Sequence, residues 1–337
     1  MFVLDKRYQL LLNLALSIAI FAGIFYFVGF GKVVSALLNI SLPLFALALL
    51  VYLCLNIMMA YRVKVVLESI GDRIPTHEVL KSSLAGMLAS DFTPARAGYF
   101  FTAFSLSSRY GIKLEKTLLS ILGPQLFDFM IKVSSAALLM YAIIAMAGGG
   151  DMLVNAIVLL VFLSGILAAG LLVFYPPLLP RLSFLKSLPL VPRAFAFIED
   201  MHEHSHKVLA IKWKIVALTS LTWLMKGFEW LLISKALGIT ITGQPVDDLL
   251  FMMVFQAAVT IIQFLPIPTI AGAGASEAGF AAILMPFGVP LESAVAFGFL
   301  TRMVMIIVDS LSLPVILSYL QKHSLESVLN QLLRMEH

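Results

Sequence analysis

Cysteine is almost missing from this chain of 337 residues, and the one present, Cys54, lies in an apolar run. A single cysteine excludes a disulfide framework and a thiolate metal cluster. Charge is also scarce. Asp, Glu, Lys and Arg together make up 12% of the residues, about half the share usual in a soluble domain. The formal net charge of +4 is small and gives no reason to expect a nucleic-acid partner. Short segments of alternating polarity are absent, which argues against a transmembrane barrel.

Catalytic signatures are equally thin. There is no G-x-S-x-G elbow. Gly272-Ala273-Gly274 with Gly279 has no preceding strand and no following P-loop lysine. The run up to Ser276-Glu277 invites a serine nucleophile, but no histidine stands in a plausible position. His202-Glu203-His204-Ser205-His206 formally matches H-E-x-x-H. It lies in a basic loop beside Lys207 with no convincing third ligand, and we read it as a decoy. The expectation is therefore a non-enzyme with no metal and no cofactor. Trp213, Trp223 and Trp230 read as interface and packing residues.

Apolar length is what the chain has in abundance. The hydrophobic share is 61%, mean hydropathy is +0.99, and several stretches reach the roughly 20 residues needed to cross a bilayer. The pattern predicts an all-α polytopic membrane protein forming one membrane domain over residues 1–337. Helices are expected over 9–30, 42–60, 117–147, 152–175, 214–237 and 291–320. Lys6 and Arg7 precede the first, which reads as uncleaved. A polar, basic stretch is expected over 61–80 and a basic cytoplasmic loop over about 176–213.

Two segments are interrupted. In 81–109 the break is Asp91-Phe92-Thr93-Pro94-Ala95-Arg96-Ala97-Gly98. In 248–289 it runs from Pro266 through Pro268, Gly272 and Gly274 to Glu277. Each side is too short to cross easily, so each segment reads as a broken re-entrant hairpin. Downstream stand Tyr110-Gly111-Ile112-Lys113-Leu114-Glu115 and Phe287-Gly288-Val289-Pro290-Leu291-Glu292. Each half then reads helix, helix, broken hairpin, helix: 1–148 and 149–337. Lysine and arginine gather before the first helix, in 61–116, in 176–214 and in the tail, which fits a multi-pass protein with both termini in the cytoplasm. The halves are thus inverted, an arrangement by which many transporters set a substrate site between two gates.

Unpaired backbone survives in hydrocarbon only where protein or a water-filled cavity covers it. Helix ends at the hairpin tips present partial charge to a ligand, and Arg96 could add a bidentate contact to a lipid phosphate. The alternative is an interfacial loop with Arg96 snorkelling to water. Ionisable residues inside spans mark function by default. Gln125, Asp128 and Lys132 share one helix face, as do Arg302 and Asp309. Aligning the halves sets Arg302 opposite Gln125 and Asp309 opposite Lys132, so the two faces could line one midplane cavity. Asp128 could simply pair with Lys132, and Arg302 could counter Glu277. Lys226 and Glu229 read as another internal pair.

At these residues the chain resembles the membrane domain of lysylphosphatidylglycerol synthase/flippase proteins, together with stand-alone members of that superfamily. The family motifs N-x-x-x-P-x-R-x-G-E, E-R-x-x-D and P-x-P-G-G-L-G-x-x-E correspond to three places. They are Asp91-x-x-Pro94-x-Arg96-x-Gly98-Tyr99, Pro124-Gln125-x-x-Asp128, and Pro268-x-Ile270-Ala271-Gly272-x-Gly274-x-x-Glu277 followed by Arg302. Asp91 replaces asparagine, Tyr99 an acid, Gln125 arginine, and Ile270 and Ala271 proline and glycine. The resemblance covers nearly the whole chain and implies the translocase-like half without the soluble lysyl-transferring domain. It implies a lipid translocase of a prokaryotic cytoplasmic membrane that moves a phospholipid or polyprenyl-linked headgroup. The expected substrate-binding set is Asp91, Pro94, Arg96, Gly98, Gln125, Asp128, Pro268, Gly272, Gly274, Glu277, Arg302 and Asp309. The other readings are a membrane enzyme on a lipid-linked substrate and an accessory subunit of a lipid-modifying system. Expected partners are membrane lipids, a second copy of the chain, and a separate lipid-modifying enzyme.

Overall fold

The computed structural model describes residues 28–93, 98–146, 204–264 and 274–322, with isolated helical positions at 22, 23, 26, 160 and 164. Ten α-helices are delimited within them. They are α1 (Phe30–Leu38), α2 (Leu42–Ser69), α3 (Thr76–Ser90), α4 (Phe101–Tyr110), α5 (Leu114–Met146), α6 (Lys212–Ala236), α7 (Pro245–Phe264), α8 (Ala275–Leu284), α9 (Leu291–Asp309) and α10 (Leu313–Lys322). No strand occurs among the described residues. Among the described residues three stretches are long and apolar enough to cross a membrane: Leu42–Ser69, Lys212–Ala236 and Leu291–Ser318. The protein is a helical membrane protein. The helix expected over 152–175, most of the first helix and most of the 176–213 loop lie outside the described residues; residues 204–210 of that loop are helical.

One expectation is corrected at α2. The polar stretch expected from residue 61 is helical as far as Ser69. Nothing there breaks a helix before Gly71, whose φ is 101°. Arg62 does not face water but turns inward to donate to Thr219 Oγ1 of α6 at 2.9 Å. Lys64 and Glu68 pair one turn apart on the outer face at 3.6 Å. The helix starts after Ser41, with a proline in its first turn, where a missing N–H costs nothing.

Both interrupted segments contain two helices flanking a break: α3 and α4 about residues 91–100, α7 and α8 about 265–274. The described residues on the two sides of the first break meet. The Gly98 N–H donates to Thr93 Oγ1 at 2.7 Å, and Thr93 donates to the Ala89 carbonyl at 3.1 Å. A side chain at Gly98 would collide with the Ala89–Ser90 backbone. Each second arm then ends the same way. Gly111 and Gly288 take left-handed conformations with φ of 65° and 79°, and α5 and α9 begin three residues later. Only glycine adopts that φ without strain.

Packing repeats this parallel. Exchanging α2 with α6, α3 with α7, α4 with α8 and α5 with α9 converts every packed pair among these eight helices into another packed pair. Thus α2 lies along α6, while α5 on α7 mirrors α9 on α3. Acidic residues in the first turns of α3 and α7 anchor both arms. Glu78 accepts from Lys81 at 2.8 Å, Tyr110 at 2.8 Å and Arg109 at 3.1 Å. The Lys81 and Tyr110 hydrogen bonds hold its carboxyl down at about 2. Burial works to raise the Asp248 carboxyl, but Lys235 at 2.6 Å and the Thr242 N–H at 2.8 Å outweigh it and hold it at about 2.

The filling of the two halves differs. Trp230, Phe255, Phe280 and Phe297 come from α6, α7, α8 and α9. All six ring pairs among them have centroids 5.1–5.8 Å apart. Such pairs contribute about 0.5–1.5 kcal/mol each beyond the area they bury. The matching region of the first half is aliphatic, built on Val63, Val66, Leu67, Leu106, Leu118 and Leu119.

Candidate functional site

A cavity of about 120 Å³ opens where the two sets of helices meet. One ordered water needs only about 10–15 Å³, so this space has room for several waters or a small polar group. From α2 come Tyr52, Leu55, Met59 and Arg62; from α3, Met87 and Ser90; Tyr99 follows the first break. Helix α5 supplies Gln125, Asp128 and Lys132; α6, Thr222, Trp223 and Lys226; α7, Gln256 and Thr260; α9, Met305.

The α5 stripe arises from its spacing, because residues three and four apart stack on one face. Asp128 Oδ2 is shared by the Gln125 amide at 3.1 Å and the Lys132 ammonium at 2.7 Å. Pro124 lies inside the helix just before this stripe. It has no N–H to donate and frees the carbonyl four residues back. Across the cavity Lys226 pairs with the fully buried Glu229 at 2.6 Å and stands over the Tyr52 ring at 4.6 Å. Tyr52 in turn donates to Asp309 Oδ2 at 3.2 Å. The Trp223 indole donates to the Met253 carbonyl at 3.0 Å, fixing one wall.

Of the residues expected from the sequence, Gln125 and Asp128 line this cavity. Asp91 is buried at the C-terminal cap of α3, next to lining residue Ser90. Asp309 stands one step behind the wall, through Tyr52. Gly98 serves the tip of the first break. Arg302 does not reach the cavity: its Nε meets Glu277 Oε1 at 3.0 Å, and an amino nitrogen donates to Ser276 Oγ at 2.8 Å. The other Glu277 oxygen accepts from the Gly274 N–H at 2.7 Å and from Ser276 Oγ at 3.0 Å. The start of α8 is therefore occupied by the chain's own carboxylate. Pro94, Arg96, Pro268 and Gly272 lie outside the described residues. Met305 lines the cavity at the position the alignment sets opposite Asp128, so the two faces do meet there, though with unlike chemistry.

Sequence reasoning missed Arg62, Gln256, Tyr52 and Thr260. Arg62 sits in what reads as a loop charge. Gln256 could have been found, being a lone amide in the apolar run from Leu249 to Val259. Of the three tryptophans, Trp213 is 76% exposed, Trp230 belongs to the core and Trp223 lines the cavity. Among the described residues no three His, Cys, Asp or Glu side chains gather as a metal site; His202 and Glu203 lie outside them.

A helical membrane domain whose charged and amide side chains converge from several helices on one internal cavity defines a class: a membrane protein built around a buried polar site. Comparison narrows the class. Residues 11–312 match the family described as the lysylphosphatidylglycerol synthase TM region. The chain belongs to that family, whose name ties it to lipid modification or translocation. No curated protein matches it.

Proposed function

We propose that the protein is a lipid translocase. The headgroup of a phospholipid or lipid-linked molecule enters the cavity while its acyl chains stay in the bilayer. The observation that carries this reading is the cavity itself, lined by charged and amide side chains among apolar ones and set where the exchangeable helices α2 and α6 meet α5, α7, α3 and α9. The two helix–break–helix units read as re-entrant hairpins, and the halves as inverted repeats. Rocking one half against the other would open the site to each side in turn. The paired packing and the matching left-handed turns at Gly111 and Gly288 support that reading. The basic segments favour cytoplasmic termini.

The test is headgroup-labelled lipid in liposomes containing purified protein, read with a membrane-impermeant quencher. Thr260→Trp places an indole in the cavity from α7 and runs beside wild type. Protein-dependent movement that is lost in Thr260→Trp, with unchanged elution and thermal stability, is the expected result. An undiminished rate in that variant would remove the cavity from the path. No movement of anionic, zwitterionic or aminoacylated lipid by wild type would overturn the translocase reading.

A further inference from the structure

Not every charge lining the cavity has an ion-pair partner among the described residues. Lys132 is matched by Asp128 and Lys226 by Glu229. Arg62 has no carboxylate within ion-pair distance among the described residues, and its side chain is bonded to a neutral hydroxyl, Thr219 Oγ1. It is 3% exposed, and its Nε has no acceptor among the described residues. Gln256 faces the same space, 2% exposed, with its Nε2 also lacking an acceptor. Two buried donors therefore border one cavity, and the charge on Arg62 has no ion-pair partner among the described residues.

Burying a guanidinium without a counter-charge is strongly unfavourable, as is burying an amide donor without an acceptor. Both penalties vanish if the cavity holds a monoanion that only accepts hydrogen bonds. A phosphodiester fits: it carries one negative charge, and its oxygens match the planar fork of arginine. We propose that the cavity binds an anionic phosphodiester headgroup through Arg62 and Gln256, and discriminates against the same headgroup bearing an added lysyl group. The lysyl ammonium groups would bring positive charge beside the unpaired Arg62, where Asp128 is already held by Lys132 and Glu229 by Lys226, and like charges brought together in a site suppress the wrong partner. The proposal rests on the translocase reading for its lipid source.

Fluorescence titration of the full chain in detergent tests it, because Trp223 lines the cavity. The probes are short-chain phosphatidylglycerol, phosphatidylcholine, lysylphosphatidylglycerol and inorganic phosphate. Phosphatidylglycerol is expected to bind about ten-fold or more tightly than either of the other lipids. Arg62→Gln should weaken it by about ten-fold and Gln256→Leu by several-fold. Asp128→Asn removes a carboxylate from the wall and should tighten binding, which keeps the proposal testable if Arg62→Gln fails to fold. Lysylphosphatidylglycerol binding as tightly as phosphatidylglycerol would overturn it, as would affinities unmoved by Gln256→Leu and Asp128→Asn. Inorganic phosphate that matches the lipid in affinity would keep the oxyanion chemistry but overturn the lipid source. Anionic selectivity without bilayer movement would defeat the translocase reading alone; movement without selectivity would defeat this proposal alone.

Discussion

Arg302→Met is expected to unfold the second half of the protein far more readily than its loss of contacts implies. Glu277 is completely buried. Removing Arg302 deletes the 3.0 Å pair and the 2.8 Å bond to Ser276, and leaves that carboxylate without a counter-charge. Breaking one side of a buried pair costs about 3–5 kcal/mol. Glu277→Gln keeps an acceptor for the Gly274 N–H but orphans the guanidinium, at about 1–3 kcal/mol. Removing both charges together, as Arg302→Met with Glu277→Gln, should cost much less than the sum, because neither charge remains to be desolvated. The double-mutant cycle should therefore give a coupling of about 2–3 kcal/mol. Denaturant unfolding in mixed micelles, followed by tryptophan fluorescence, measures it. Trp230 stacks on Phe280 and Phe297 from the two helices that carry this pair, so the signal reports the right region. Lipid movement in the double variant separates brace from binding site: a stable, active protein is expected. Single-variant costs below about 1 kcal/mol, or a double variant equal to the sum, would refute the brace.

Gly298→Ala should destabilise the same region by about 1–3 kcal/mol, because a methyl there would stand 2.8 Å from the Phe280 ring and 3.3 Å from Glu277 Cγ; thermal unfolding in detergent checks it. Gly86→Ala should push α3 from α4, since its methyl would meet Thr102, and reduced protease resistance at the 91–100 break is the readout. Acid titration should be nearly flat until pH falls below about 4. Asp248 is held at about 2 against an ordinary 3.8, and Glu78 at about 2 against 4.5. Folded values below unfolded ones mean that their stabilisation is complete above the ordinary values and lost as pH falls through about 2. Asp248→Asn should remove its share of that acid transition, and an unchanged profile would count against the Lys235 anchor.

The skeleton was legible because it follows from length and from breakers. Apolar runs located α2, α5, α6 and α9 to within a few residues except at the C-terminal ends of α2 and α9, the single helix expected over 291–320 being α9, a 3-10 turn at Ser310–Ser312 and α10, and Pro94, Gly98 and Gly274 marked the breaks. The pairing Gly111 with Gly288 came from spacing and corresponds to a shared backbone conformation. The site was less legible, because a charge in sequence does not say which way it points. Arg62 carries the signature of a cytoplasmic loop until Thr219, on a helix more than a hundred residues later, is seen to receive it. Arg302 and Gln125 are aligned positions, yet one reaches Glu277 and the other the cavity. Helix rotation and neighbouring acceptors decide that, and neither is written in local periodicity.

The likeness of the two halves ends at their side chains, and this divides their labour. On α5 the stripe Gln125, Asp128, Lys132 faces the shared space. On α9 the aligned stripe Arg302, Met305, Asp309 spends its first charge on Glu277 and its last on Tyr52, leaving a thioether at the wall. Of these two helices α5 sets its charges toward the cavity and α9 spends its own within the protein, with four interlocked aromatic rings behind it. Substitutions on the α5 face could therefore change what the cavity admits, while the brace between α8 and α9 kept the frame standing.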